Sequence, residues 1–363
     1  MYDPLAAVRA TGDPDCDVYL TGTVFLDIVF TGLDSAPRRG TETWARGMGS
    51  SPGGVANMAT ALARLGLRTS LAAAFGDDVY GAYCWEALAE GEGVDLTHSR
   101  KVPGWHSPVT VSMAYDGERT MVTHGHDAPP EDAAAADPPR SLAAVASLVP
   151  GRTQEWVNRV AARGTRVFAD VGWDDSGRWR LADLAELADC EAFLPNAEEA
   201  MRYTRTRDPR EAARALTRHV PLAVVTMGPH GVCAADGRTG EFAEVPGVLV
   251  EALDPTGAGD VFTAGFLMAT LADWPLAERL AFASLTSALS VQEFGGSLSA
   301  PGWAEIGHWC RQVHGCPVQD PVADAQRCRY GFLWRLLSGG ERPAPLRRAV
   351  PTVGFRQPSG PIV

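Results

Sequence analysis

The feature that most constrains this chain is a rhythm. Short apolar runs of strand length alternate with segments of helical periodicity through most of its 363 residues. Such alternation fits an α/β fold with a largely parallel sheet, because parallel neighbours need a crossover connection that a helix supplies. Residues 18–20 read as a strand ending near Gly22, and 55–65 as a helix stopped by Gly66. A single strand is expected over 69–75, closed by Gly76-Asp77-Asp78. Further on, 155–162 reads as a helix, 166–171 and 222–227 as strands, and 260–272 as a helix entered from a glycine-rich turn.

One segment breaks the rhythm. PVTVSMAY (108–115) alternates apolar and polar residues, turns at Asp116-Gly117 and returns over 119–124, which is a β-hairpin pattern. It suits either a small separate sheet over a site or an ordinary edge hairpin. Two stretches have low-complexity composition: DAPPEDAAAADPP (127–139), expected to be a surface loop, and the Pro/Arg-rich residues 339–363, expected to be a mobile tail.

Charge and cysteine usage exclude several classes. A net charge of −12 argues against nucleic-acid or anionic-membrane partners. The seven cysteines form no CxxC pair, so neither a zinc knuckle nor a disulfide framework is supported. The N-terminal residues lack the apolar core of a signal peptide, and the apolar run 261–272 is too short to span a bilayer. A soluble cytoplasmic protein is expected. There is no GxxxxGK[ST] and no well-placed GxGxxG, so neither a P-loop nor a dinucleotide fold applies.

The strongest chemical signal is DPTGAGD (254–260), running directly into VFTAGF. Gly257, Ala258 and Gly259 allow a tight turn whose N–H groups converge, and the helix that follows adds the positive end of its dipole. Together they suit a transferring phosphoryl group. Asp260 would accept the proton of an attacking hydroxyl, its carboxylate kept ionised by the helix end. The heptapeptide alone reads equally well as an N-cap Asp after a glycine loop.

Other segments carry the same ambiguity. Gly53 and Gly54 at a helix entrance, with Asn57 in the first turn, suit either a polyol's hydroxyls or simple helix packing. Asn196 and Glu199 are one turn apart and suit a hydrated Mg2+ or a capping box. Thr226, Gly228 and Gly231 follow a buried strand, where α/β folds bind ligands, or form a plain turn. Asp27, amid apolar neighbours, needs partners, water or a substrate hydroxyl.

Taken in order, these motifs resemble the ribokinase-like (PfkB) carbohydrate kinases. GGVANMATALARLG (53–66), FGDDVYG (75–81), PNAEE (195–199) and DPTGAGDVFTAGFL (254–267) are each similar to a family element, and they span about 18–302. The resemblance implies a doubly wound, mostly parallel sheet sandwiched by helices, with a small β-sheet lid from about 28–48 and 106–126, all within a domain of residues 1–338. It implies ATP as donor, Asp260 as base and 257–260 as anion hole. Asp27, Gly53, Gly54 and Asn57 match sugar-contacting positions, Asn196 and Glu199 the Mg2+ element, and Thr226, Gly228 and Gly231 a nucleotide loop. Asp254 and Thr256, near GGS (295–297), match the neighbourhood of a monovalent cation such as K+. A homodimer contact through the lid is a further implication.

Two departures bear on the acceptor. Gly172 stands where sugar-specific members carry asparagine, and Pro255 where threonine is commoner. Three readings therefore stand: a kinase for a sugar or sugar acid, a nucleoside kinase of the same fold, and a non-catalytic sensor. Trp44, Trp105 and Trp173 are the aromatic residues offered for a nucleobase slot.

Overall fold

Strands buried on both faces must send alternate side chains into two different layers, and β1 (Cys16–Thr21) does so. Val18 and Leu20 pack into one apolar core, and Tyr19 into the other. The computed structural model describes residues 3–115, 118–128, 137–174, 176–293, 295–317 and 320–338. The tail 339–363, the turn 116–117 and most of the loop 127–139 lie outside the described residues.

After β1 come β2 (Val24–Thr31), β3 (Gly47–Gly54), α1 (Val55–Arg64), β4 (Thr69–Ala72), β5 (Ala74–Gly76) and α2 (Val79–Glu86). Next are β6 (Arg100–Val102), β7 (Val109–Tyr115), β8 (Glu118–His124), β9 (Ser141–Leu148), α3 (Glu155–Ala162) and β10 (Arg166–Val171). The chain continues through β11 (Ala192–Phe193), α4 (Ala197–Thr204), α5 (Pro209–Leu216), β12 (Leu222–Thr226), β13 (Val232–Asp236) and β14 (Phe242–Val245). The last described helices are α6 (Ala258–Leu271), α7 (Leu276–Ser290), α8 (Trp303–Gly315), α9 (Pro321–Arg329) and α10 (Gly331–Ser338).

The main sheet has eight strands in the order β14-β13-β12-β11-β10-β9-β1-β4. All pair in parallel except β12-β13 and β13-β14. Helices α1, α6, α7 and α8 contribute to the core on one face, and α3, α4 and α5 to that on the other. The order reverses between β1 and β9, so a crevice opens at the carboxyl ends there. The fold is thus the doubly wound α/β sandwich.

The smaller sheet has the order β3-β2-β7-β8, with β2-β7 parallel and the other two pairs antiparallel. Its first two strands occupy 24–31 and 47–54 rather than 28–48, and no strand forms over 32–46. The composition of β3, GMGSSPGG, hides it from a propensity reading. Only its register against β2 makes it a strand.

The run 69–75 is two strands, not one. At Ala73 the chain leaves the main sheet: its N–H donates to Ser99 Oγ and its carbonyl accepts from Arg100, so β5 pairs with β6 instead.

A buried ion pair fixes the far end of α1. Arg64 and Glu92 side chains are only 2% and 1% exposed, and they meet through two bonds of 2.7 and 2.9 Å. The remaining guanidinium donors reach the carbonyls of Leu298 and Ala300. Removing one partner strands the other charge in the core, which costs about 3–5 kcal/mol. Arg64→Ala should therefore lower the unfolding free energy by about that amount in urea denaturation. A loss within error of zero would mean that water replaces the pair.

Candidate active site

Two helix starts face each other, and each presents its third residue. Gly54 (φ 63°) is the N-cap of α1 and Gly257 (φ 74°) that of α6, both in conformations that favour glycine. Asn57 of α1 donates from Nδ2 to Oδ2 of Asp260 on α6, at 3.0 Å. Asp260 is therefore not the N-cap: its carboxylate bonds to another helix, and α6 has no side-chain cap. α6 starts at residue 258 rather than 260. The Ala258 N–H donates to the Pro255 carbonyl, while the N–H groups of Gly259 and Asp260 have, by position in the first turn, no i−4 carbonyl partner.

Space around Asn57 is minimal. A Cβ at Gly257 would lie 3.1 Å from Asn57 Cγ, and one at Gly296 only 2.8 Å from Oδ1. Asn57 is buried, and its Oδ1 has no hydrogen-bond partner.

Burial, partly offset by the bond from Asn57, raises the Asp260 carboxyl to about 6, so it is a stronger base than a carboxylate at an exposed helix end. Asp170, at the carboxyl end of β10, is raised to about 8, first by burial and then by the charge of Asp260, with Glu199 adding. No local motif marks Asp170. Its position at the carboxyl end of a central strand was the available signal.

Asp27 lies on β2, paired in register with Ser51 and Thr110. Gly53 is its floor: a Cβ there would fall 1.9 Å from Asp27 Oδ2 and 2.2 Å from Cγ. Gly54 is equally constrained, with a Cβ 2.4 Å from the Thr23 carbonyl. Ser51 Oγ donates to the Gly295 carbonyl, which ties β3 to the loop beside Asn57.

Asn196 and Glu199 form a full capping box at the start of α4. Asn196 Oδ1 accepts from the Glu199 N–H (3.0 Å), and Glu199 Oε2 from the Asn196 N–H (2.9 Å). Glu199 is buried, and burial raises its carboxyl despite those bonds. No three histidine, cysteine or carboxylate side chains among the described residues converge to enclose a metal. A carboxyl at Asp170 that the charges of Asp260 and Glu199 make harder to ionise, without a full cage, fits a Mg2+ held mainly by water and phosphate oxygens.

Thr226, Gly228 and Gly231 line a cavity of about 350 Å3 with Val248, Val250 and Phe262. Pro255, Ala258 and Gly259 form its inner end, so it opens onto the start of α6. The hydrophobic wall from 248–252, α6 and α7 was not legible in the sequence, because no local motif marks it. Asp254 is buried nearby; Oδ1 accepts from the Thr256 N–H and Oγ1, and Oδ2 from the Gly295 N–H.

The tryptophans do not make one slot. Trp105 is core, Trp44 is exposed, and Trp173 packs edge-on against Trp179 under Arg202. Beyond Gly172, Asp174 is buried and accepts from the Ser176 N–H and Oγ and the Trp179 N–H, so that segment is a pinned turn.

A doubly wound sheet, a crevice at the carboxyl ends of its strands and a carboxylate over a helix start define the class of small-molecule kinases of ribokinase type. Residues 23–303 match the model of the pfkB family carbohydrate kinases, and the chain belongs to that family. It is 32% identical over 288 residues to a fructokinase of Klebsiella pneumoniae, covering 69% of this chain and 89% of that one. It is 29% identical over 240 residues to a cytidine kinase of Thermococcus kodakarensis, covering 62% and 83%. Arabidopsis thaliana ribokinase, solved with ribose and ATP, shares the fold at a TM-score of 0.65 and 24% identity, over 80% of this chain and 96% of that one.

Two outcomes follow from the site's geometry. Gly53→Ala should destabilise the fold by about 1–3 kcal/mol through overpacking. Adding Asp27→Ala should recover at least about 1 kcal/mol of that, read as the coupling in a double-mutant cycle. Strict additivity would refute the contact. Separately, the folded Asp260 carboxyl sits near 6 against an ordinary 3.8, so its ionisation disfavours the fold increasingly as pH rises between those values. Asp260→Asn should leave Tm unchanged near pH 4 and raise it at pH 7.5; no rise at the higher pH would contradict the burial argument.

Proposed function

We propose that this protein transfers the γ-phosphoryl group of ATP to a hydroxyl of a sugar or sugar-like small molecule. The observation that carries this reading is the placement of the Asp260 carboxylate. It stands on the first turn of α6, bonded to Asn57, next to Gly259, which lines an apolar cavity suited to a nucleotide.

In this reading the adenine lies between the 248–252 segment and α7, with Thr226, Gly228 and Gly231 along the nucleotide. The acceptor lies between Asp27 and Asn57. Gly53 and Gly54 let it approach the backbone, and the free Asn57 Oδ1 accepts one of its hydroxyl protons. Asp260 takes the proton of the attacking hydroxyl as the O–P bond forms and the bond to ADP breaks. Within 257–260 the N–H groups of Gly257, Gly259 and Asp260, with the α6 dipole, hold the charge of the transferring group, while that of Ala258 shapes the turn through the Pro255 carbonyl. A carboxyl near 6 is ionised at neutral pH yet basic enough for this role.

Mg2+ bound near Asn196, Glu199 and Asp170 would neutralise phosphate charge and align the donor. A monovalent cation such as K+ beside Asp254 and Thr256 would stiffen the loop that enters α6. The small sheet acts as a lid over the acceptor. Its apolar strip of Phe30, Met48 and Met113, joined by Leu33 and Trp44, suits contact with a second copy. No described helix is long and apolar enough to cross a membrane, in keeping with a cytoplasmic role.

A nucleoside acceptor is the second reading, favoured by Pro255 and Gly172 as departures from the sugar-specific pattern and by the cytidine kinase relative. Turnover with ATP and Mg2+ across a panel of sugars, sugar acids and nucleosides separates the two. Asp260→Asn should lower kcat by about 10²–10⁴-fold while ATP affinity holds. The kcat/KM of the wild type should fall below pH about 6 as Asp260 protonates. Absence of turnover on the whole panel would favour a sensor, and full activity in Asp260→Asn would place the base elsewhere.

A further inference from the structure

At the opposite end of the sheet from Asp260, the amino ends of β9 and β10 carry a second concentration of charge. A cavity of about 370 Å3 lies there, between the N-terminal segment, the turn after α3 and the end of α6. Arg9, Arg140, Arg163 and Arg166 line it, against one carboxylate, Asp13. That carboxylate already accepts from the Ala10 N–H. Four guanidinium groups around one hollow are unexpected on a chain of net charge −12.

The four are not equivalent. Arg9 is saturated by Asp3 and Asp17. Arg163 and Arg166 each hold one acid, Asp137 and Glu191, with their side chains still 44% and 37% exposed. Arg140 is exposed and has no ion pair or hydrogen bond among the described residues. Next to it in the chain, Ser141 is only 7% exposed, and its Oγ is buried without a partner. A neighbouring hollow that shares Asp13, Pro14 and Arg140 is lined also by Asp15 and Asp95, so the acceptor-poor side of Arg140 is the one that faces Arg163 and Ser141. Buried hydroxyls without partners are uncommon in folded proteins, and one beside an uncompensated arginine calls for an acceptor-rich ligand.

We propose that this hollow is a binding site for a small phosphorylated molecule, held by its phosphate. Arg140 and Arg163 supply charged donors, Arg166 a partial one, and Ser141 Oγ a neutral one. The site cannot be an extension of the catalytic crevice, because it lies at the amino rather than the carboxyl ends of the strands. It is nevertheless linked to that crevice by a rigid element. α6 begins at the anion hole and ends at Leu271 in this cavity wall, a span of about 20 Å for its 14 residues. Arg166 also donates to the Thr270 carbonyl in the last turn of α6.

The test uses the full chain and pyrophosphate as probe. Hydrogen exchange locates the binding, and calorimetric titration measures its strength. Pyrophosphate should protect amides of 140–142 and 163–166. Arg140→Gln and, separately, Arg163→Gln should abolish that protection and weaken this binding at least about tenfold, a loss of one charge-assisted phosphate contact. Both variants should keep the wild-type Tm without ligand, since both side chains are solvent-facing. Protection confined to 254–260, or unchanged in either variant, would overturn the proposal. Because Asp260→Asn leaves this site intact, equal protection of 140–142 in that variant would support it even if no kinase substrate were found.

Discussion

The bond between Asn57 and Asp260 is the constraint around which the rest is arranged. It joins the third residues of two helices that are separated by 203 positions in the chain. For those residues to meet, both helices must start from left-handed glycines, and Gly257 and Gly296 must leave room for the amide. The same bond is the one hydrogen-bonding interaction that lowers the acidity shift of a carboxyl otherwise dominated by burial. Position and protonation are therefore set together.

That arrangement carries a cost in stability. The charges of Asp260 and Glu199 raise the cost of ionising Asp170, and Glu199 is itself withdrawn from water. Carboxylates crowded without a neutralising group are disfavoured in a fold and favoured by a function that brings a cation or a proton. The contrast with Arg64 and Glu92 is instructive. There the charges are more deeply buried, yet every guanidinium donor named has an acceptor.

How much of this was legible in the sequence differs by the range of the interaction. Helices and strands with local periodicity, such as α3 and β10, could be read residue by residue. β3 could not, since a strand rich in glycine and proline exists only through its pairing with β2. The break at Ala73 was hidden because both halves of the run are apolar, and Ser99 decides between them from a distance. Likewise the 254–260 motif announced a helix start, but not that burial would dominate its charge. Asp170 was missed as a participant because its importance comes from Asp260 and Glu199, which are remote in sequence. The helices α8 to α10 went unread although Asp320 and Pro321 form a clear capped start for α9.

The burial of α6 has a consequence for how such a molecule can vary. Every residue from Val261 to Thr270 is buried, so the helix presents no free side on which it could slide or tilt. The end of the molecule proposed to handle the phosphoryl group is in effect cast in place. The acceptor end is different: Asp27, Ser51 and Thr110 stand on three strands of a thin sheet that has one exposed edge at β8. Change can accumulate at the exposed positions of β8 without repacking the core, although Gly53 and Gly54 stay fixed. On the proposed function, choice of substrate and the act of transfer would be carried by parts of the chain with very different tolerance to mutation.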